Sequence, residues 1–313
     1  MSDKSLIEWC DATVNAVNGC SVISPGCTNC YAMRLAGTRL KNRPTCEGLT
    51  VQSKTGPVWN GTVRLNDTAL KQPLAWRRPR RILWNAHGDL FHPAVPDEWI
   101  DKVFAICALT PHHTHMILTK RSARMRDYVN AQVVRIGAML RTMDSLVEDG
   151  WKQHKRWPLR NVWLGISIED REHMLERGPD LAACLAEIRF WSAEPLLGDL
   201  GTIDRGIMPD WVIIGAEFGP GARPMSNQWA QSIVDQCQGA NTSVFVQQLS
   251  SGGSKAMKDI DAFPDGLRLR QYPHGGGAMH QSAAPVSFTT QWRERRQYIP
   301  KRWGAGRPIG RPR

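Results

Sequence analysis

Short apolar runs rich in β-branched residues alternate with helical patterns along most of the chain. Such runs are typical of strands that are buried on both faces, as in parallel sheets. A short run before Cys20 and six longer ones are predicted strands, at residues 81–85, 115–119, 161–166, 188–191, 211–215 and 243–246. Helices are predicted between them, one beginning at Asp97 and two others covering about 171–186 and 227–237. This alternation predicts a parallel α/β fold, which fits either a (β/α) barrel or an open doubly wound sheet.

Polar residues follow each of the predicted strands. In a (β/α) barrel the functional groups gather beyond the C-terminal ends of the strands. The residues found at these points here include Asp89, Lys120, Glu169, Ser192, Glu194, Gly215, Glu217 and Gln247. Their common placement predicts a rim that holds a polar ligand. Asp89 and Glu169 could instead cap helices or stabilise turns, and both interpretations stay open for them.

Three of the eight cysteines, Cys20, Cys27 and Cys30, lie within eleven residues. Three thiolates can hold an iron–sulfur cluster and leave one iron with an open coordination site, which a reactive metal centre requires. That iron could chelate the amino and carboxylate groups of S-adenosylmethionine. Two alternatives remain open: a structural zinc site completed by Cys10 or Cys46, and three unrelated cysteines in a loop.

Basic charge is concentrated at the C-terminus. The net charge of +11 comes from 40 Lys and Arg and 29 Asp and Glu, and residues 293–313 alone hold eight basic residues and one Glu. Two Gly-Arg-Pro sequences in this tail resemble the AT-hook, which places arginines in narrow A·T minor grooves. We therefore predict that Arg307, Arg311 and Arg313 contact DNA. A generic polyanion-binding or solubilising tail is the alternative.

Several ordered segments resemble an uncharacterised, largely phage-associated family with a three-cysteine motif, which is related to the radical S-adenosylmethionine superfamily. Beside the cysteine loop that ends in Cys30-Tyr31-Ala32, the matching segments are 89–92, 95–96, 118–121, 161–165, 192–198, 215–217 and 219–224. The resemblance implies a complete or partial (β/α) barrel of the TIM type with a [4Fe–4S] cluster at its mouth. It also implies reductive cleavage of S-adenosylmethionine by an external electron donor, giving a 5′-deoxyadenosyl radical that abstracts a hydrogen atom from a substrate.

The leading hypothesis is therefore a radical S-adenosylmethionine enzyme that modifies or repairs nucleic acid, with DNA favoured by the tail. The candidate cofactor-binding residues are Ser192, Glu194, Gly215, Glu217 and Arg223, and the candidate cluster ligands are the three cysteines of the loop. No catalytic residue is assigned. Two other functions stay open: a non-catalytic DNA-binding protein with structural zinc, and a radical enzyme acting on a small metabolite.

Three regions are predicted: a barrel over 1–250, an irregular extension over 251–292, and the basic tail over 293–313. No run of eighteen apolar residues is present, so no membrane span is expected. The N-terminus opens into polar sequence without a secretory signal pattern. We therefore expect a cytoplasmic protein, in the host cytoplasm if a phage encodes it, and a reducing cytosol argues against disulfides.

Overall fold

The structure is a computed structural model that describes residues 5–146, 157–252 and 255–273. Its strands are β1 (Ala12–Val14), β2 (Val17–Asn18), β3 (Thr50–Ser53), β4 (Gly56–Trp59), β5 (Arg64–Leu65), β6 (Arg81–Trp84), β7 (Thr114–Thr119), β8 (Val162–Ser167), β9 (Ile188–Ala193), β10 (Trp211–Gly215), β11 (Ser243–Ser250) and β12 (Ala256–Met257). Its helices are α1 (Tyr31–Gly37), α2 (Asp67–Leu70), α3 (Gln72–Ala75), α4 (Asp97–Leu109), α5 (Ser122–Asn130), α6 (Gln132–Leu146), α7 (Arg171–Ala182) and α8 (Asn227–Ala240). The six longer predicted strands and the three predicted helices are all confirmed.

Eight of the described strands form one large sheet with the order β1-β6-β7-β8-β9-β10-β11-β12, while β2 pairs with β5 and β3 with β4 in two small antiparallel sheets. The large sheet sets the architecture. Every neighbouring pair is parallel except β11 and β12, which are antiparallel. The predicted parallel α/β fold is therefore confirmed. Among the described residues no strand pairing joins the two edges, so this part of the chain does not form a closed barrel.

The two faces of the sheet are covered by two separate apolar clusters. Since successive side chains of a strand point to opposite faces, Ile82 and Trp84 pack towards the helices while Leu83 packs on the other face. The second cluster, on the face away from the helices, is rich in aromatic rings, and Trp211 lies 5.8 Å from Trp163 and 5.7 Å from Phe190 between ring centroids.

Helix α4 follows the predicted pattern. Asp97 and Glu98 lie in its first turn, where carboxylates interact favourably with the helix dipole. Asp97 is the first helical residue rather than the N-cap that the sequence suggested, because Pro96 takes the cap position. Cys107 is fully buried in the helix-facing cluster, as a core residue.

Part of the predicted irregular extension packs against the sheet. Residues 268–271 run beside β11, with Val246 N donating to Leu269 O at 2.8 Å and Gln271 N to Val244 O at 2.8 Å. The ring of Tyr272 lies 5.4 Å from Trp211 and faces the Arg81 guanidinium at 4.2 Å. The structured region thus continues past residue 250. The tail over 293–313 lies outside the described residues.

Within the described part of the chain, no helix combines the length and apolar character needed to cross a membrane.

The cysteine loop and most of the polar residues that follow the strands lie at the C-terminal ends of the parallel strands, as predicted. That end of the sheet carries the candidate site.

Candidate functional site

The cysteine loop begins directly after β2 and ends at α1. Gly19 has a φ of +96°, and a Cβ there would lie 2.1 Å from Thr62 O, so the close backbone approach requires glycine. A 3-10 turn over Pro25–Cys27 brings the chain round, and Cys30 occupies the N-cap position of α1. Cys27 thus ends the turn, and Cys30 follows it three residues later at the start of α1.

The three cysteines of the loop are free thiols. Cys20 and Cys30 pack against the same apolar cluster under α1. Burial raises the pKa of the Cys30 thiol, and the nearby Cys27 raises it further. Among the described residues, no group of three or more His, Cys, Asp or Glu side chains is arranged to hold a metal ion. A cluster would therefore require the three thiols to converge further.

Asp89 and Arg121 hold the first cysteine. The Arg121 guanidinium donates to Cys20 Sγ at 3.3 Å and to Ser21 O at 3.1 Å, while Asp89 accepts from Arg121 at 2.9 Å. Burial raises the pKa of the Cys20 thiol to about 12, and the nearby Asp89 adds to this while Arg121 opposes it. The positive charge of Arg121 is therefore placed where it would stabilise a thiolate.

Glu169 contacts the middle of the cysteine loop. Its carboxylate is fully buried and accepts from Ser24 Oγ at 2.7 Å and from Arg177 at 3.1 Å, and it pairs with Lys120. A Cβ on Gly26 would lie 2.5 Å from this carboxylate, so glycine allows the loop to rest on it. Of the two interpretations left open for Glu169, helix capping is wrong, because the cap of α7 is the neighbouring residue Asp170.

Glu217 and Arg223 form the third support. Glu217 Oε2 accepts from Asn29 at 2.9 Å and from the Arg223 backbone N at 2.8 Å, and the two side chains form an ion pair. Arg223 also donates to Pro25 O at 2.9 Å. Both predicted residues thus contact the cysteine loop, through Asn29 and Pro25.

Ser192, Glu194 and Gly215 form a separate group next to Trp9, which belongs to the second apolar cluster. Ser192 Oγ donates to Glu194 Oε2 at 3.1 Å, and Trp9 Nε1 donates to the same oxygen at 3.2 Å. A Cβ on Gly215 would lie 2.6 Å from Glu194 Oε1, so glycine makes room for the carboxyl group. Desolvation raises the pKa of Glu194 to about 7, although both hydrogen bonds lower it.

The raised pKa of Glu194 predicts a pH-dependent stability. The folded state binds the proton more tightly than the unfolded state, whose carboxyl has the usual value of 4.5. Wild type should therefore lose stability relative to Glu194→Gln as the pH rises from about 4.5 to about 7. Denaturant unfolding of both proteins at pH 4.5, 6 and 8 measures the difference. A difference that stays constant over this range would contradict the placement of Glu194 in a desolvated site.

Several buried polar atoms in the described part of the chain have no hydrogen-bond partner, and some of them belong to β11. Gln247 Oε1 in β11 is buried and accepts no hydrogen bond from the described residues. Buried polar atoms are nearly always paired, so such an atom is a candidate ligand contact. In the sequence, Gln247 is visible only as a polar residue after a predicted strand. Trp9 was missed altogether, because it precedes the first strand and reaches Glu194 only through the fold.

The three tail arginines that were predicted to contact DNA, Arg307, Arg311 and Arg313, lie outside the described residues.

A family model described as "Protein of unknown function (DUF5131)" matches residues 4–277 of the chain. Neither the curated proteins nor the solved structures contain a significant match.

Proposed function

The chain belongs to this family of proteins of unknown function, and we propose that it is a radical S-adenosylmethionine enzyme that acts on nucleic acid. The observation that carries the proposal is the cysteine loop: three free thiols in eleven residues, supported from three sides by Arg121, Glu169 and Glu217. Each support is itself a charged group fixed by a partner. Burying charged and polar groups costs free energy. Their concentration around one short loop therefore indicates that the geometry of the loop must be fixed.

The donor set suits an iron–sulfur cluster. Thiolates are the usual ligands of such clusters, and three of them leave one iron open. Cys20, Cys27 and Cys30 would hold the cluster, Arg121 would offset the charge of the thiolates, and Asn29 and Ser24 would fix the backbone between them. When bound, the cluster would supply the electron, received from an external donor, that cleaves S-adenosylmethionine reductively.

Ser192, Glu194 and Gly215 are placed to bind the polar part of a cofactor or substrate. The Glu194 carboxyl has a pKa near neutral pH, so it can accept a hydrogen bond when ionised or donate one when protonated. The unpartnered Gln247 Oε1 offers a further acceptor. In this assignment Glu217 and Arg223 position the cysteine loop instead of contacting the cofactor.

A partial (β/α) barrel is the form of the sheet that we propose. The parallel strands follow one another in chain order, as they do in such barrels. Contacts between the first and last parts of the sheet support the curvature, since Arg270 pairs with Glu8 at 2.6 Å and Tyr272 meets Arg81. In such a partial barrel the aromatic cluster would fill the interior at the N-terminal ends of the strands and leave the other end for ligands.

Formation of 5′-deoxyadenosine tests the proposal. Anaerobically purified protein, reduced with dithionite and given S-adenosylmethionine, should produce 5′-deoxyadenosine and methionine, measured by liquid chromatography and mass spectrometry. Reactions without reductant are the control, because the cleavage consumes one electron. Absence of 5′-deoxyadenosine from protein that carries a full cluster would refute the assignment.

A structural zinc site is the second candidate, and one contact favours it. Cys46 packs in the same apolar cluster as Cys20 and Cys30, so it is available as a fourth ligand. Cys10, the other candidate, belongs to the second apolar cluster and its thiol donates to Ser5 Oγ at 3.2 Å. Zinc content in Cys46→Ser separates the two functions: loss of bound metal favours zinc, and an unchanged iron content favours the cluster.

A further inference from the structure

A basic insertion lies beside the cysteine loop. We use this name for residues 34–64, which hold six Lys and Arg and one Glu. Arg39, Lys41 and Arg43 follow the end of α1, all three are exposed, and none pairs with a carboxylate among the described residues. Cations grouped without partners leave a local positive potential that attracts a polyanion.

An exposed aromatic pair lies at the start of the same helix. Tyr31 and Phe218 are stacked, with ring centroids 6.5 Å apart and planes 27° apart, and they are 40% and 48% exposed. Tyr31 is held by its hydroxyl, which donates to Ala86 O at 2.9 Å. Two large, partly exposed rings beside a charged surface indicate an interaction site.

The two features lie at the two ends of α1. Arg34 in α1 donates to Pro220 O at 3.3 Å, which ties the helix to the loop that carries Phe218. Helix α1 has seven residues and is therefore about 10 Å long. The cations begin directly beyond its end, so a strand of a few nucleotides could reach from the aromatic pair to the basic insertion.

We propose that this surface binds single-stranded nucleic acid, with a base on the Tyr31–Phe218 pair and phosphates on Arg39, Lys41 and Arg43. Proteins bind single strands by combining a positively charged path for the backbone with aromatic rings on which bases stack. A duplex offers no free base face, so a single strand or an unpaired base fits better. The inference rests on the proposed function for its substrate class, and it adds a second nucleic-acid contact to the predicted tail.

Salt dependence of binding tests the cations. Full-length protein is titrated into a fluorescein-labelled single-stranded DNA 20-mer at several salt concentrations, and binding is measured by anisotropy. The triple variant R39Q/K41Q/R43Q should bind more weakly, and the slope of log affinity against log salt should fall by about 2, since each phosphate contact contributes about 0.7. The matched control K71Q/R77Q/R78Q removes the same charge from exposed residues that precede β6, at the opposite end of the strands, and should keep the slope.

Phe218 variants test the stacking separately. Phe218→Ala should weaken binding about fivefold or more without changing the salt slope, because one stacked base is lost and no phosphate contact. Phe218→Trp keeps a ring of the same kind and should restore the affinity. A tail variant, R307Q/R311Q/R313Q, measures the contribution of the tail independently.

Three results would overturn the inference: an unchanged slope in R39Q/K41Q/R43Q, an equal loss in K71Q/R77Q/R78Q, or equal binding by Phe218→Ala and wild type. Binding to vesicles of anionic lipid that depends on the same residues, with the oligonucleotide unaffected, would assign the surface to a membrane instead. None of these measurements needs a cluster. Failure of the surface is therefore distinguishable from failure of the radical mechanism, which is judged on 5′-deoxyadenosine.

Discussion

Alanine in place of Cys20, Cys27 or Cys30 is expected to reduce the iron content of anaerobically reconstituted protein from about four per chain to less than one. Each change removes one of three protein ligands, and the remaining two cannot hold a cluster with one open iron. Formation of 5′-deoxyadenosine should fall to background in all three variants. Iron, sulfide and product are measured on the same preparations.

Cys237→Ala is the matched control for the cysteine variants. Cys237 is fully buried in α8, far along the chain from the loop, and packs in the helix-facing cluster. Its replacement costs some packing but should leave iron, sulfide and 5′-deoxyadenosine at wild-type levels. A loop variant that retains the wild-type cluster would show that its thiol is not a ligand.

Replacement of Glu169 by leucine is expected to destabilise the fold by about 3–5 kcal/mol. The change leaves Arg177, which is 1% exposed at its side chain, without its buried carboxylate partner and removes the partner of Lys120. It also removes the acceptor of Ser24 Oγ, so the cysteine loop should be less well fixed. Denaturant unfolding measures the free energy, and metal loading measures the effect on the loop.

Glu176→Leu provides the control for Glu169, because it removes a carboxylate that lies near the same arginine. Glu176 Oε2 lies 3.6 Å from Arg177 Nε, but its side chain is 64% exposed. Exposed ion pairs contribute at most about 1 kcal/mol, so this variant should be close to wild type. Equal destabilisation by the two changes would contradict the buried role of Glu169.

The pH dependence of Glu169→Gln gives a second check on the same residue. Burial by itself would raise the pKa of Glu169. The charges of Lys120 and Arg177 outweigh this effect and lower the pKa below its usual value. The contribution of the carboxylate is then present at neutral pH and lost as the pH falls through the folded pKa. The stability difference between wild type and Glu169→Gln should therefore shrink in acid.

The strands and helices could be predicted because their signals are local. Runs such as 211–215 are apolar throughout, and α4 carries its apolar residues at helical spacing and its carboxylates in the first turn. The alternation of these elements predicted a parallel sheet, but it left the order of the strands open. Packing of residues 268–271 beside β11 was not predictable, since that segment has no strand pattern and pairs through its backbone.

The candidate site was predictable only in part. The cysteine spacing and the placement of Glu194 after a strand are visible in the sequence. The partner of each charged residue is not, because the contacts join positions far apart in the chain: Asn29 meets Glu217, and Trp9 meets Glu194. For Glu217 and Arg223 the cofactor contact stays a prediction, and their pairing with each other and with the cysteine loop was not visible in the sequence.

The metal content of the wild-type protein tests the central claim most directly. The protein is purified without oxygen, its iron, sulfide and zinc are determined, and electron paramagnetic resonance is recorded after reduction with dithionite. We predict about four iron and four sulfide per chain, with a resonance signal that changes when S-adenosylmethionine is added. About one zinc without sulfide, or no metal after reconstitution, would contradict the radical mechanism.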